Sequence, residues 1–81
     1  MPTVKRVGPY RFYFFSHEPN EPAHIHVDRD EFTAKFWIKP VRLARLHGFS
    51  AREVRVIHDL VIEHQQEFLD AWNGYFVSAI R

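Results

Sequence analysis

Residues 23–38 read A-H-I-H-V-D-R-D-E-F-T-A-K-F-W-I, and this stretch decides the fold. Ala23–Val27 alternates apolar and polar side chains, as a half-buried strand does. Asp28-Arg29-Asp30 reads as a polar turn, and Glu31–Ile38 alternates again. In a strand, alternate side chains share a face. Ala23, Ile25 and Val27 therefore point one way, and His24 and His26 the other.

The flanking segments extend the same pattern. Thr3–Val7 reads as a short strand, and Gly8-Pro9 as a turn. Tyr10–Phe15 is aromatic and β-prone, so the two runs suggest a hairpin. Ser16–Pro22, with two prolines and an asparagine, reads as a loop. Lys39-Pro40 interrupts the fourth run, and Val41–Leu46 reads as an edge strand.

The second half is helical. Ser50 with Glu53 three residues later fits a capping box. Val54, Ile57, Leu60, Val61, Phe68, Ala71, Trp72 and Tyr75 then recur on one helical stripe. Arg52, Arg55, Asp59, Glu63, Gln66 and Asp70 lie opposite. Asn73-Gly74 is the expected stop. An unbroken Ala51–Trp72 would span roughly 33 Å, long for so small a domain, and a break near His64-Gln65-Gln66 is the alternative. The expected fold is α+β: a three- to five-stranded, mainly antiparallel sheet on one long C-terminal helix, broken or whole. It is one domain over residues 1–81, with a sheet half (1–48) and a helical half (49–81).

Composition narrows the class. The chain has 81 residues and no cysteine, so it has no disulfide and no thiolate zinc site. No signal peptide and no transmembrane run is evident, and a cytoplasmic protein with no membrane partner is expected. Residues 1–48 carry a net charge of +3 and residues 49–81 carry −2, which places the cations mainly in the strand half. Aromatic residues make up 16% of the chain, enough for large rings to supply most of a small core.

The strands sort into two faces. Tyr10, Phe12 and Phe14, with Phe32, Ala34, Phe36 and Ile38, form the apolar set that should meet the helix. Arg11, Tyr13, Phe15, His24, His26, Thr33, Lys35 and Trp37 collect on the other face. Three chemistries suit this surface. Single-stranded RNA stacks bases on aromatic rings and meets phosphates with cations. Tyr13, Phe15 and Trp37 would stack, and Arg11 would pair, joined by Arg42 and Arg45 of the basic stretch Lys39–Arg45. Metal-independent ribonuclease chemistry needs a base and an acid, roles open to His24 and His26, with Lys35 or Arg11 on the phosphate. Third, His-x-His can chelate zinc if a further ligand joins. The candidates are His17, Asp28, a carboxylate of the Glu18–Glu21 loop, or His64 if the helix meets the histidine face. No cofactor is otherwise expected. Against all three stands a plain interaction module, such as a homodimer in which the same rings are buried. His47 and His58 read as loop and half-exposed residues. Val56, Ile62 and Leu69, with Phe76, Val77 and Ile80, are the apolar residues left for a partner chain.

The assembled residues resemble a prokaryotic family, the domain of unknown function 4160. The resemblance rests on Met1-Pro2-Thr3, on Gly8–Phe12, and on Asn20-Glu21-Pro22-Ala23-His24-Ile25-His26-Val27. It continues through Ala34–Trp37, Gly48-Phe49-Ser50 and Glu67–Asn73. The family usually reads P-P-H-x-H, and Ala23 stands where the second proline is expected. The resemblance implies no defined chemistry and supplies no site residues. It implies a two-gene, toxin–antitoxin-like module with this chain as candidate toxin, and a cognate small protein encoded nearby as partner.

Overall fold

The structure, a computed structural model, describes residues 3–15 and 21–80, with the backbone alone for 76–80. Among the described residues, five strands run in chain order: β1 (Thr3–Val7), β2 (Tyr10–Tyr13), β3 (His24–Arg29), β4 (Phe32–Ile38) and β5 (Val41–His47). They form one antiparallel sheet in the order β1-β2-β3-β4-β5. Two helices follow, α1 (Ala51–Glu63) and α2 (Gln65–Ile80). The fold is α+β, with the helices packed on one sheet face.

Side-chain alternation places the core between sheet and helices. Phe12, Ile25, Val27, Phe36 and Ile38 are fully buried from the sheet, and Ile57, Val61 and Phe68 from the helices. The rings of Phe12 and Phe68 lie 5.1 Å apart and join α2 to the centre of the sheet. Such a pair adds about 0.5–1.5 kcal/mol beyond its burial.

Several boundaries differ from the sequence reading. β3 extends through Asp28 and Arg29, and the tight turn falls on Asp30, which takes φ +56°. Aspartate tolerates this left-handed conformation better than most residues. Phe14 and Phe15 lie beyond the end of β2. The helix does interrupt at His64, but only as a bend. The His64 N–H still donates to Leu60 O, and its carbonyl accepts from the Phe68 N–H, both at 3.0 Å. Gln65 Nε2 donates to Ile38 O at 2.7 Å and ties the bend to the end of β4. Asn73-Gly74 does not stop α2, which continues to Ile80. Tyr75, just past the glycine, meets Phe14 at 5.3 Å, and tertiary packing outweighs the weak local preference.

The N-terminus of α1 forms half of the expected capping box. Ser50 Oγ accepts from the Glu53 N–H at 3.2 Å. The Glu53 carboxylate does not turn back to Ser50. It takes two bonds from Arg29, Nε to Oε2 at 2.5 Å and Nη2 to Oε1 at 2.8 Å. Tyr10 Oη donates to the same carboxylate at 2.9 Å. The clamp binds α1 to β3 and β2. Its Arg29 hydrogen bonds hold the Glu53 carboxyl below its usual range, with Tyr10 adding and partial burial opposing.

Two measurements test these contacts. Gly48 has φ +101°, and an added Cβ would fall 2.3 Å from the Phe32 ring. Gly8 has φ +56° but nothing within 4 Å of such a Cβ. Gly48→Ala should therefore cost at least ~2 kcal/mol and Gly8→Ala ~1 kcal/mol, as read by urea denaturation. The second concerns acid. A depressed folded-state pKa stabilises the fold above the unfolded-state value, and that contribution disappears as pH falls through the folded value. Stability should drop on acidification through the carboxylate range, and Glu53→Gln should flatten the profile. An unchanged profile would remove the clamp from the account.

Candidate functional site

The sheet face turned away from the helices is built by register. Tyr13 lies opposite His26, His26 opposite Lys35, and Lys35 opposite Arg45. A second row runs Arg11, Asp28, Thr33, His47. A third joins His24, Trp37 and Arg42. The structure thus gathers all the candidate RNA-contacting residues on or beside one surface: Arg11, Tyr13, Phe15, Trp37, Arg42 and Arg45.

The centre of this face is a concavity of about 260 Å³. Tyr13, Phe15, His26, Thr33, Lys35 and Arg45 line it. The imidazole of His26 stacks on the Tyr13 ring at 5.4 Å and 18°, and meets the Phe15 ring edge-on at 4.6 Å. Three ring systems therefore form one wall. Tyr13 is held by its hydroxyl, which donates to Asp28 Oδ1 at 2.9 Å. Burial, and then this bond, push the Tyr13 phenol well above its ordinary pKa, so it remains a neutral donor.

The cations of the face differ in their commitments. Arg11 lies over the Tyr13 ring at 4.6 Å, donates to Thr3 Oγ1, and pairs with Asp28 at 3.8 Å. The Lys35 ammonium is nearly buried and sits over the Trp37 ring at 4.8 Å. It donates to Glu21 Oε1 at 2.5 Å. Arg42 and Arg45 are exposed on β5, and among the described residues neither makes an ion pair.

His24 is placed differently from the sequence reading. It begins β3 beyond the last residue of β2, which pairs with His26. Trp72 of α2 closes over that uncovered end of the sheet, 4.7 Å from the His24 ring and 5.5 Å from Phe14. His24 is consequently 0% exposed. Its Nδ1–H donates to Pro22 O at 2.9 Å, which fixes the ring. The carbonyl only accepts, so the proton sits on Nδ1. His24 and His26 remain neighbours, 5.1 Å apart edge to face, but only His26 lines the concavity.

Among the described residues, the zinc alternative gathers no ligand set. His64 lies at the helix bend beside Glu63, Glu67 and Phe68. Among the described residues, no group of three or more His, Asp or Glu side chains is arranged to hold a metal. His17 and Glu18 lie outside the described residues, as do the side chains of Phe76, Val77 and Ile80. No helix among the described residues is long and apolar enough to cross a membrane. The sequence reading missed the Trp72–His24 contact and the Glu53–Arg29–Tyr10 clamp. Both join residues more than 20 positions apart, and periodicity carries no signal for such pairs.

Residues 10–73 match the family model described as domain of unknown function DUF4160. The chain belongs to that family. No curated protein matches it, and no solved structure does.

The unequal burial of the two histidines predicts unequal consequences. His24→Ala should cost ~2–4 kcal/mol, because it leaves a cavity beside Trp72 and removes the donor from Pro22 O. His26→Ala should cost about 1 kcal/mol or less, as a half-exposed position does. Calorimetric unfolding of both variants reads the difference, and equal costs would refute this placement.

Proposed function

We propose that this member of the family binds single-stranded RNA through the outer face of its sheet, as one component of a two-gene, toxin–antitoxin-like module. One observation carries the RNA reading: the wall formed by Tyr13, Phe15 and His26 stands beside the exposed cation Arg45. Bases stack on such walls whatever their sequence, and arginine meets the backbone phosphates. The 260 Å³ concavity lies below the ~300–1,000 Å³ of drug-sized pockets. Its scale suits a single base. Arg42, opposite Trp37, extends the cationic track along β5. The module and the cognate partner rest on the family resemblance alone.

Ribonuclease chemistry is the second reading, favoured by the adjacency of His24 and His26. Phosphodiester cleavage needs one proton carrier at the 2′-hydroxyl and another at the leaving oxygen. His26 and Lys35 line the concavity and take such roles directly. His24 is enclosed and engaged by Pro22 O, so it serves better to position His26 than to touch substrate. Binding therefore ranks ahead of cleavage.

Fluorescence anisotropy with a labelled single-stranded RNA of 12 nucleotides tests the reading. Wild-type affinity should fall with salt. Arg42→Ala/Arg45→Ala should reduce the log–log salt slope by about 1.4, at ~0.7 for each phosphate that is no longer neutralised. Phe15→Ala should weaken binding by ~1–3 kcal/mol. Recovery of intact RNA from the mixture means binding alone, while cleavage abolished in His26→Ala but kept in Arg42→Ala means the enzymatic reading. Absence of any salt-dependent binding would refute both.

A further inference from the structure

The RNA reading leaves the sheet edge unexplained. Among the described residues β5 pairs with β4 alone, so one row of its backbone N–H and C=O groups faces away from the sheet. Such a row is a template for another strand. Six of its seven residues, Arg42 to His47, are exposed.

The register gives this edge two unlike sides. Val41, Leu43 and Leu46 lie opposite Ile38, Phe36 and Ala34, on the helix side. Arg42 and Arg45 lie opposite Trp37 and Lys35, on the outer side. A bulge at Ala44 lets two leucines three residues apart share a face. Phe36 and Ala34 are buried, yet Leu43 and Leu46 stay 42% and 44% exposed. The helices leave them uncovered. Along the chain the charges of this segment have one sign: from Phe32 to Arg52 it carries Lys35, Lys39, Arg42, Arg45 and Arg52, with no acidic residue.

We propose that the β5 edge receives an extended segment of a partner protein as a sixth strand. That segment alternates apolar residues, which cover Leu43 and Leu46, with acidic residues, which meet Arg42 and Arg45. Backbone bonds supply affinity in this mode, and alternate side chains supply specificity. The charges select the occupant. A second copy of the chain would bring its own Arg42 and Arg45 to the same junction, with no carboxylate from residues 32–52 to balance them. The arginines turn away basic strands and attract an acidic one. An RNA strand accounts for the arginines but gives Leu43, Leu46 and the edge amides no role. The proposal does not rest on the RNA reading.

The test uses the isotopically labelled full chain and two end-blocked seven-residue peptides, one alternating Glu and Val, the other Lys and Val. The Glu/Val peptide should shift the amide resonances of residues 41–47 and slow their hydrogen exchange. Arg42→Glu/Arg45→Glu should weaken that peptide at least tenfold and favour the Lys/Val one. Leu43→Ser/Leu46→Ser should weaken the Glu/Val peptide with the arginines intact. These positions are exposed, and the amide spectrum of each free variant verifies its fold. The proposal is overturned if millimolar Glu/Val peptide leaves β5 unmoved. Equal binding of both peptides by the wild type overturns it too, as does light scattering that shows a dimer abolished by Arg42→Glu/Arg45→Glu.

Discussion

The pairing register of β2, β3 and β4 is the constraint on which the rest depends. It sets Phe12 opposite Val27 and Val27 opposite Ala34, and one residue along it sets Tyr13 opposite His26 and His26 opposite Lys35. The first row is buried under the helices, and the second lines the concavity. Because side chains alternate with period two, a slip of one residue would exchange the rows. Histidine and lysine would then face Phe68 and Val61, and phenylalanine would face water. The hydrophobic term therefore fixes the composition of the outer face as firmly as that of the core. Each fully buried large side chain contributes ~1.5–3 kcal/mol to holding that register.

Polar contacts then position the helices. The Glu53–Arg29–Tyr10 clamp secures the start of α1, and the Gln65 bond to Ile38 secures the bend. With both points fixed, α2 lays Phe68 on the sheet and carries Trp72 over its open end. The same packing separates the cations of the outer face. Arg11 and Lys35 are held by Asp28 and Glu21 and shape the aromatic wall. Arg42 and Arg45 stand exposed at the border between that wall and the β5 edge. A phosphate backbone on the wall and an acidic strand on the edge would draw on the same two arginines. Occupation of one would then oppose occupation of the other.

Much of this architecture was legible in the sequence, because it follows from local period. The strands, the two faces, the Ser50 cap and the helical stripe all repeat within a few residues. What was not legible depends on contacts between distant residues. Asp28 and Arg29 look like turn residues, yet Arg29 completes β3 because Glu53 receives it. Glu53 looks like half of a capping box, yet its carboxylate leaves the helix for the sheet. His24 looks like the twin of His26, and alternation alone treats them as equal. They differ because β2 ends opposite His26 and leaves His24 to Trp72. Asn73-Gly74 looks like a stop and is overridden by packing just beyond it.

Photochemical crosslinking of single-stranded RNA carrying 4-thiouridine, with the linked residues identified by mass spectrometry, tests the central claim most directly. The outer face predicts adducts at Phe15, His26 or Trp37, suppressed by salt, with none on α1. Adducts confined to α1, or spread without regard to face, would contradict the claim.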